Sequence, residues 1–298
     1  MNRLSVFLFL IIHTSIIFGQ GIMEPYWLYD NHYLADLYLI NPAFAGRQNY
    51  TRALVSSYRE NIQHRDSPAV HLASIHGRIG AVRNAIGGLV FADYNGPFQT
   101  TGFKLDYVHT VPFNSKNTTN LSFGLGGMIF SKNIKLDNNI SYPTINGKIK
   151  ITPDVNAGAL FVHKNLYIGI SASQMLENSF KFSMINYTPP QTYRNYYLQT
   201  GYRIMFDFVE IEPSIVVGHN AASNNIGNFI DVNLELVLSH LVFLFSHRLD
   251  GFVSLSFLYR IPKFELGVSA GLFSVNPSDA IVRGIGLRTV YTFLPNKK

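Results

Sequence analysis

Residues 229–239 read Phe229-Ile230-Asp231-Val232-Asn233-Leu234-Glu235-Leu236-Val237-Leu238-Ser239. Ile230, Val232, Leu234, Leu236 and Leu238 occupy every second position, with Asp231, Asn233 and Glu235 between them and Ser239 after them. A period of two puts the apolar side chains on one face of a strand and the polar ones on the other. A helix needs a 3.6-residue repeat and would scatter these polar residues around its axis. The same beat returns downstream, where Phe264, Leu266, Val268, Ala270 and Leu272 alternate with Glu265, Gly267, Ser269 and Gly271. It also appears upstream, in Leu121-Ser122-Phe123-Gly124-Leu125-Gly126 and in Gly102-Phe103-Lys104-Leu105-Asp106-Tyr107.

Many of these runs reach the ~9–11 residues of a tilted membrane strand, beyond the ~5–6 of an ordinary one. Apolar side chains toward lipid, alternating with polar or small ones toward a lumen, mark a transmembrane strand. Counting outward places strands near 52–60, 69–79, 84–93, 100–112, 119–131, 155–163, 165–172, 192–204, 208–219, 228–239, 241–247, 252–261, 263–273 and 282–294. That is about fourteen, the even number expected of a bacterial single-chain barrel. The expected fold is all-β, a transmembrane outer-membrane antiparallel β-barrel. Short links, such as His163-Lys164-Asn165 and Arg260-Ile261-Pro262-Lys263, alternate with longer ones, of which 132–154 reads as the longest. A soluble sandwich with one wet face would also alternate. That weaker reading predicts extraction without detergent.

Composition points the same way. Only 14% of the 298 residues are charged, well under the ~25–35% of a soluble surface. The 17 Tyr and 23 Phe suit aromatic girdles at the two bilayer interfaces. With no Cys, disulfides, thiolate metal sites and a Cys-linked lipid anchor are excluded. The formal charge of +6 comes from scattered basic residues rather than a stripe, so nothing suggests a nucleic-acid partner.

Residues 1–20 read as a signal peptide: Arg3, then the apolar run Leu4 to Phe18, then a cut near Gly19-Gln20. No later run approaches the ~20 apolar residues of a membrane helix. If the mature chain crosses a membrane, it does so as a closed barrel, which satisfies every backbone group. The expected organisation is a signal peptide (1–20), an N-terminal periplasmic or lumen-facing segment (21–50) and one barrel domain (51–298).

Catalytic signals are missing. The ten His show no ligand spacing such as His-Glu-x-x-His, and they read as interfacial or lumen-facing. Glu210 and Glu212 share one strand face about 7 Å apart, a spacing that suits a polar lumen as well as acid–base work. Gly124-Leu125-Gly126-Gly127 and Gly284-Ile285-Gly286 lack the Lys-Ser/Thr and helix of a phosphate cradle; strand glycines mark bends or close backbone approach. No enzyme, cofactor or metal is expected.

The least ordinary run is Tyr38-Leu39-Ile40-Asn41-Pro42-Ala43-Phe44-Ala45-Gly46. Pro42 fixes its own φ and keeps Asn41 out of the helical region. Gly46 permits a turn, and Phe44 between two alanines reads as an anchor seated in a pocket. A plain lead-in loop before the first strand would show the same punctuation. With the aromatic lead-in Pro25-Tyr26-Trp27, this run resembles the PorP/SprF family of the type IX secretion system. Further points of similarity are Ser57-Tyr58-Arg59, Gly87-Gly88 with Asp93 and Gly96-Pro97, and Leu166 to Ser171 followed by Gln174-Met175-Leu176-Glu177-Asn178. Tyr196-Tyr197 to Gly201-Tyr202 and Glu212-Pro213-Ser214 continue it. Where the family often carries Trp after the first-strand Tyr-Arg, this chain has Glu60-Asn61-Ile62-Gln63.

The resemblance implies an outer-membrane protein that docks secretion components rather than performing chemistry. Its implied partners are periplasmic ring or translocon components, the C-terminal domain of a secreted protein such as a surface adhesin of gliding or attachment, and outer-membrane lipid. Asn41, Pro42, Phe44 and Gly46 are the candidate partner-binding residues. A fatty-acid-type transport barrel for a hydrophobic or small solute is the alternative, and an open or apolar lumen would distinguish it.

Overall fold

The computed structural model describes residues 32–48, 50–61, 67–80, 83–96, 98–115, 118–134, 150–178, 192–222, 229–249, 251–273 and 281–293. The expected signal peptide, the lead-in around Trp27 and the centre of the longest loop lie outside these residues.

The strands are β1 (Thr51–Glu60), β2 (Ala69–Ile79), β3 (Asn84–Asn95), β4 (Phe98–Pro112), β5 (Thr119–Ile134), β6 (Lys150–His163), β7 (Leu166–Ser173) and β8 (Asn195–Tyr202). They continue as β9 (Ile204–Met205), β10 (Val209–Asn220), β11 (Phe229–Leu238), β12 (Leu241–Arg248), β13 (Phe252–Arg260), β14 (Phe264–Phe273) and β15 (Ile281–Phe293). Apart from β8 and β9, each pairs antiparallel with its neighbour in sequence, and β15 returns to β1 from Thr51↔Phe293 to Glu60↔Gly284. β8 and β9 both pair with β10 and are separated only by Arg203. They form one stave with a single-residue break, which makes a closed barrel of fourteen staves. Closure satisfies the backbone groups that an open edge would leave in lipid.

The burial pattern is that of a soluble protein turned inside out. Leu125, mid-strand in β5, is 63% exposed, whereas Asp106 on the inward face of β4 is 4% exposed. Val55, Phe103, Ile170, Phe243 and Val268 join the outward apolar belt, and Ser56, Ser122, Gln199, Asp231 and Ser254 face inward. This inversion is the solution for a wall with lipid on its outside. Among the described residues no helix is long and apolar enough to cross a membrane.

Next-neighbour antiparallel order assigns every loop a side. One end carries the links β2–β3, β4–β5, β6–β7, β9–β10, β11–β12 and β13–β14, together with the start of β1 and the end of β15. The other end carries the links β1–β2, β3–β4, β5–β6, β7–β8, β10–β11, β12–β13 and β14–β15. Short turns mark the periplasmic end. Exposed Phe113, Tyr202, Phe206, Phe208, Tyr259, Phe264 and Phe293 cluster there, as an interfacial girdle would. His240 stacks on Tyr259 at this end, and His71 meets Tyr94 edge-on at the other.

Several strand boundaries differ from the sequence reading, most at β5–β6 and β8. The loop expected over 132–154 is shorter, because β5 runs to Ile134 and β6 starts at Lys150, with Lys132 paired to Lys150. Polar residues at these strand ends look like loop in sequence, but ladder pairing holds them. β8 begins at Asn195, later than the expected 192.

Candidate functional site

Residues 32–48 run inside the barrel as a plug. The backbone makes three short 3₁₀ turns, His32–Leu34, Leu37–Leu39 and Pro42–Phe44. The sequence explains the last two. The Asp36 carboxylate accepts the Tyr38 N–H at 3.1 Å and the Asn41 side-chain oxygen accepts the Ala43 N–H at 2.9 Å. Asx side chains cap turns in this way. Pro42 follows Asn41 at the first position of its turn, where no N–H is needed. Gly46 leaves the plug at φ +68°, and a Cβ there would lie 2.4 Å from that of Ala85.

The plug touches the wall all round. Tyr33 donates its phenolic hydrogen to Asp231 on β11, which Arg248 also holds through Nε at 2.7 Å. Tyr38 donates to Asp106 on β4 at 2.5 Å. Burial, with Asp106 beside it, pushes the Tyr38 phenol far above its ordinary range, so it remains a donor. Lys104 lies 3.2 Å from Asp106 and 4.4 Å over the Tyr38 ring. His32 shares a 2.8 Å hydrogen bond with Ser56 on β1. His76 of β2 accepts the Gly46 N–H at Nδ1 (3.2 Å) and donates from Nε2 to Asp36 (2.9 Å), which sets its tautomer. Burial opposes the Asp36 carboxylate, yet His76 and then Arg52 hold it below the usual carboxylate range.

Asn41 is the most densely bonded of the predicted site residues. It is fully buried, and its amide donates to Gln199 Oε1 at 2.9 Å and to the carbonyls of Ile170 (3.2 Å) and Ala159 (3.3 Å). Ser171 donates to the Ile40 carbonyl at 2.8 Å and accepts from Gln199 at 3.1 Å. Phe44 packs edge-on against Tyr167 with centroids 5.5 Å apart, and Arg47 lies 4.4 Å over the same tyrosine. The wall makes room with glycine. A Cβ on Gly158 would lie 2.1 Å from Asn41 Oδ1, and one on Gly124 would lie 2.6 Å from the Ala43 nitrogen. Asn41, Pro42, Phe44 and Gly46 are thus brought together inside the lumen, all buried. Close approach, not phosphate binding, accounts for the inward glycines.

Below the plug, a cavity of about 380 Å³ opens between the plug and the periplasmic turns. Phe44 and Arg47 line its upper end, and Ile261, Pro262 and Lys263 of the β13–β14 turn line its mouth. Its walls are charged. Arg203 bonds Glu212 through Nε at 2.7 Å, Arg260 bonds Glu265 at 2.8 Å, and Arg52 lies 3.6 Å from Glu265. Glu210 and Glu212, expected on one lumen face, both line this vestibule. Sequence reasoning missed the role of Tyr33, Asp36, His76, Asp106 and Gln199. The Asp36-x-Tyr38 spacing is a local capping signal, but nothing in the sequence shows which wall residues meet the plug.

At the extracellular rim, the segment Gln174–Asn178 caps β6. The Leu176 N–H donates to Asp154 at 3.1 Å and the Asn178 amide donates to the Pro153 carbonyl at 2.9 Å. Among the described residues, no group of His, Asp and Glu is arranged to hold a metal ion.

No curated protein matches the chain in sequence. Solved structures share the barrel. The CymD monoaromatic hydrocarbon channel aligns with a TM-score of 0.54 at 11% identity, covering 87% of this chain and 92% of that one. The TodX monoaromatic hydrocarbon channel deltaS2 mutant aligns at 0.53 and 9% identity, covering 89% and 94%. The Ralstonia pickettii toluene transporter TbuX aligns at 0.50 and 9%, covering 88% and 92%. Identities this low speak for the fold alone. Residues 24–276, which take in the described plug and β1 to β14, match the family described as type IX secretion system membrane protein PorP/SprF. The chain belongs to that family and is an outer-membrane β-barrel of type IX secretion.

Proposed function

We propose that the chain is a docking barrel: it holds periplasmic ring or translocon components of the type IX system, the C-terminal domain of a secreted adhesin-like protein, or both. The observation that carries this reading is the plug. Its side chains bond to β1, β2, β4, β7, β8 and β11, so the lumen is filled by the chain itself and a charged vestibule faces the periplasm. A filled lumen serves a binding platform better than a conduit. In this reading Phe44 lines the vestibule that a partner enters, while Asn41, Pro42 and Gly46 hold Phe44 in place. Family membership supports contact with secretion components.

The test is a pull-down from native outer membranes in mild detergent through a C-terminal tag. Co-recovery of a large secreted protein or of ring components supports docking. Recovery of the barrel alone, or with bound lipid only, counts against it. A transport role for a small hydrophobic solute has the shared barrel fold in its favour. The charged vestibule walls oppose it, and solute uptake into proteoliposomes separates the two.

A further inference from the structure

The periplasmic hairpin between β9 and β10 departs from the pattern of the rest of the wall. Along a barrel strand only every second side chain faces outward. Here five consecutive residues, Ile204-Met205-Phe206-Asp207-Phe208, are all exposed. The tip is a tight turn, in which the Phe206 N–H donates to the Val209 carbonyl at 2.8 Å.

The hairpin stands clear of the stave before it. β7 starts at Leu166, opposite Tyr202, and the Arg203 N–H donates to the Asn165 carbonyl at 3.0 Å. Beyond that point Ile204 and Met205 pair with β10 alone among the described residues. Two residues at ~3.4 Å each carry the tip about 7 Å past the β6–β7 turn.

Met205 stands opposite Glu210, and Ile204 opposite Ile211. Direct partners share a sheet face. Glu210 lines the vestibule, so Met205 lies on the inward face, and it is 60% exposed. Lipid around the barrel covers the outward face, which holds Ile204, and does not reach Met205. Phe208 is 86% exposed, well above Phe113 at 59% and Phe264 at 42% in the girdle at the same end. Asp207 sets a carboxylate between the two phenylalanines, a charge that is costly in hydrocarbon. The tip is therefore apolar on a side that the bilayer leaves open, and it carries a charge that the bilayer disfavours.

We propose that this hairpin is a knob that docks in an apolar groove of a periplasmic protein. The groove takes Met205, Phe206 and Phe208, and Asp207 lies at its polar rim. Aromatic anchors in a desolvated pocket, ringed by polar groups, are the usual core of such a contact. Arg203 and Glu210, at the base of the hairpin, line the vestibule, so the knob and the vestibule form one continuous periplasmic surface. The proposal rests on the docking reading and names the surface and the chemistry of its partner.

The test places a reporter thiol on the inward face. The chain has no Cys, so Met205→Cys gives a single site, and N-ethylmaleimide labelling is followed by mass. In proteoliposomes of phosphatidylethanolamine and phosphatidylglycerol, the purified barrel is expected to label as fast as a free thiol. In native outer membranes labelling is expected to be at least tenfold slower. Adding Phe206→Ser and Phe208→Ser restores fast labelling in native membranes, whereas adding Phe113→Ser, a girdle change, does not. Heat-modifiable gel migration confirms that each variant is a folded barrel. Slow labelling already in proteoliposomes means that lipid or a second copy covers the knob, and it overturns the proposal. Fast labelling in native membranes, or protection that survives both serines, overturns it as well. The pull-down separates the two levels of inference. Fast labelling in native membranes with secretion components still recovered sinks the knob and leaves docking standing, whereas no recovery even by wild type sinks docking itself.

Discussion

Tyr33 and Tyr38, five positions apart in the chain, donate their phenolic hydrogens to aspartates on nearly opposite walls of the barrel. Tyr33 reaches Asp231 on β11, and Tyr38 reaches Asp106 on β4. Both rings are fully buried. Together they brace the plug across the lumen, so either phenol alone holds only one side.

Removing one brace is expected to loosen the plug without unfolding the wall. A hydrogen bond to a charged group contributes about 1.5–3 kcal/mol. Tyr38→Phe therefore raises the open fraction of the plug roughly tenfold or more, and Tyr33→Phe,Tyr38→Phe raises it further. The chain has no Cys, so Ala45→Cys is a clean reporter. Thiol-labelling rates that stay at the single-reporter level in the double phenylalanine variant contradict the bracing role.

Gly124 and Gly127 provide a matched pair on β5. A methyl at Gly124 would lie 2.6 Å from the Ala43 nitrogen, while one at Gly127 meets nothing within 4 Å. Gly124→Ala is expected to destabilise the seated plug by about 1–3 kcal/mol, the usual range for overpacking. Gly127→Ala leaves it unchanged. Thermal unfolding with the Ala45→Cys reporter distinguishes them, and equal behaviour of the two variants refutes the tight plug contact.

Asn41 tests the hydrogen-bond accounting. Its amide nitrogen faces three acceptors: Gln199 Oε1 and the carbonyls of Ile170 and Ala159. Asn41→Ala leaves those acceptors without this donor, at about 1–3 kcal/mol for a buried unsatisfied group. Asn41→Asp turns a carboxylate oxygen toward all three and is expected to be worse than alanine, although it is closer in shape. Stability ranked wild type, then alanine, then aspartate agrees. Aspartate tolerated as well as wild type does not.

Acid is expected to release the plug. Burial, with Arg288 and His71 adding to it, holds His32 well below its ordinary pKa of 6.5. The neutral ring therefore favours the seated plug. That contribution is complete above 6.5 and is lost as pH falls from there toward the depressed seated value. Asp36 is held below its ordinary 3.8, so its contribution is present above 3.8 and is lost only as pH falls through that lower value. Reporter labelling with a dithiodipyridine, which reacts in acid, should rise below about 6.5. The rise should be blunted in His32→Gln. A flat profile from neutral to mildly acid pH contradicts the assignment.

The wall was legible in the sequence, and the interior was not. Period-two alternation in β11 and β14 is unmistakable because lipid demands an apolar residue at every outward position. Glu210, Glu212, Asp231 and Asn233 were thereby placed on the lumen side. The plug carries no such periodicity: 3₁₀ turns a few residues long leave only Asp36 and the Asn41-Pro42 pair as local marks. Which strand meets Tyr38 or Asn41 depends on ladder register, and so does the pairing of Met205 with Glu210. Register is a property of the assembled sheet, not of any one segment.

That dependence runs in the other direction too. Asn41 meets Gln199 across 158 positions of chain, and Tyr33 meets Asp231 across 198. Contacts so distant in sequence form late in folding. A strand that slips by one residue turns its inward set outward. A slipped β8 would present Gln199 to lipid and leave Asn41 facing an apolar wall. The plug seats fully only in a barrel whose staves have closed in the correct register, so its docking acts as a proofreading step for the wall around it.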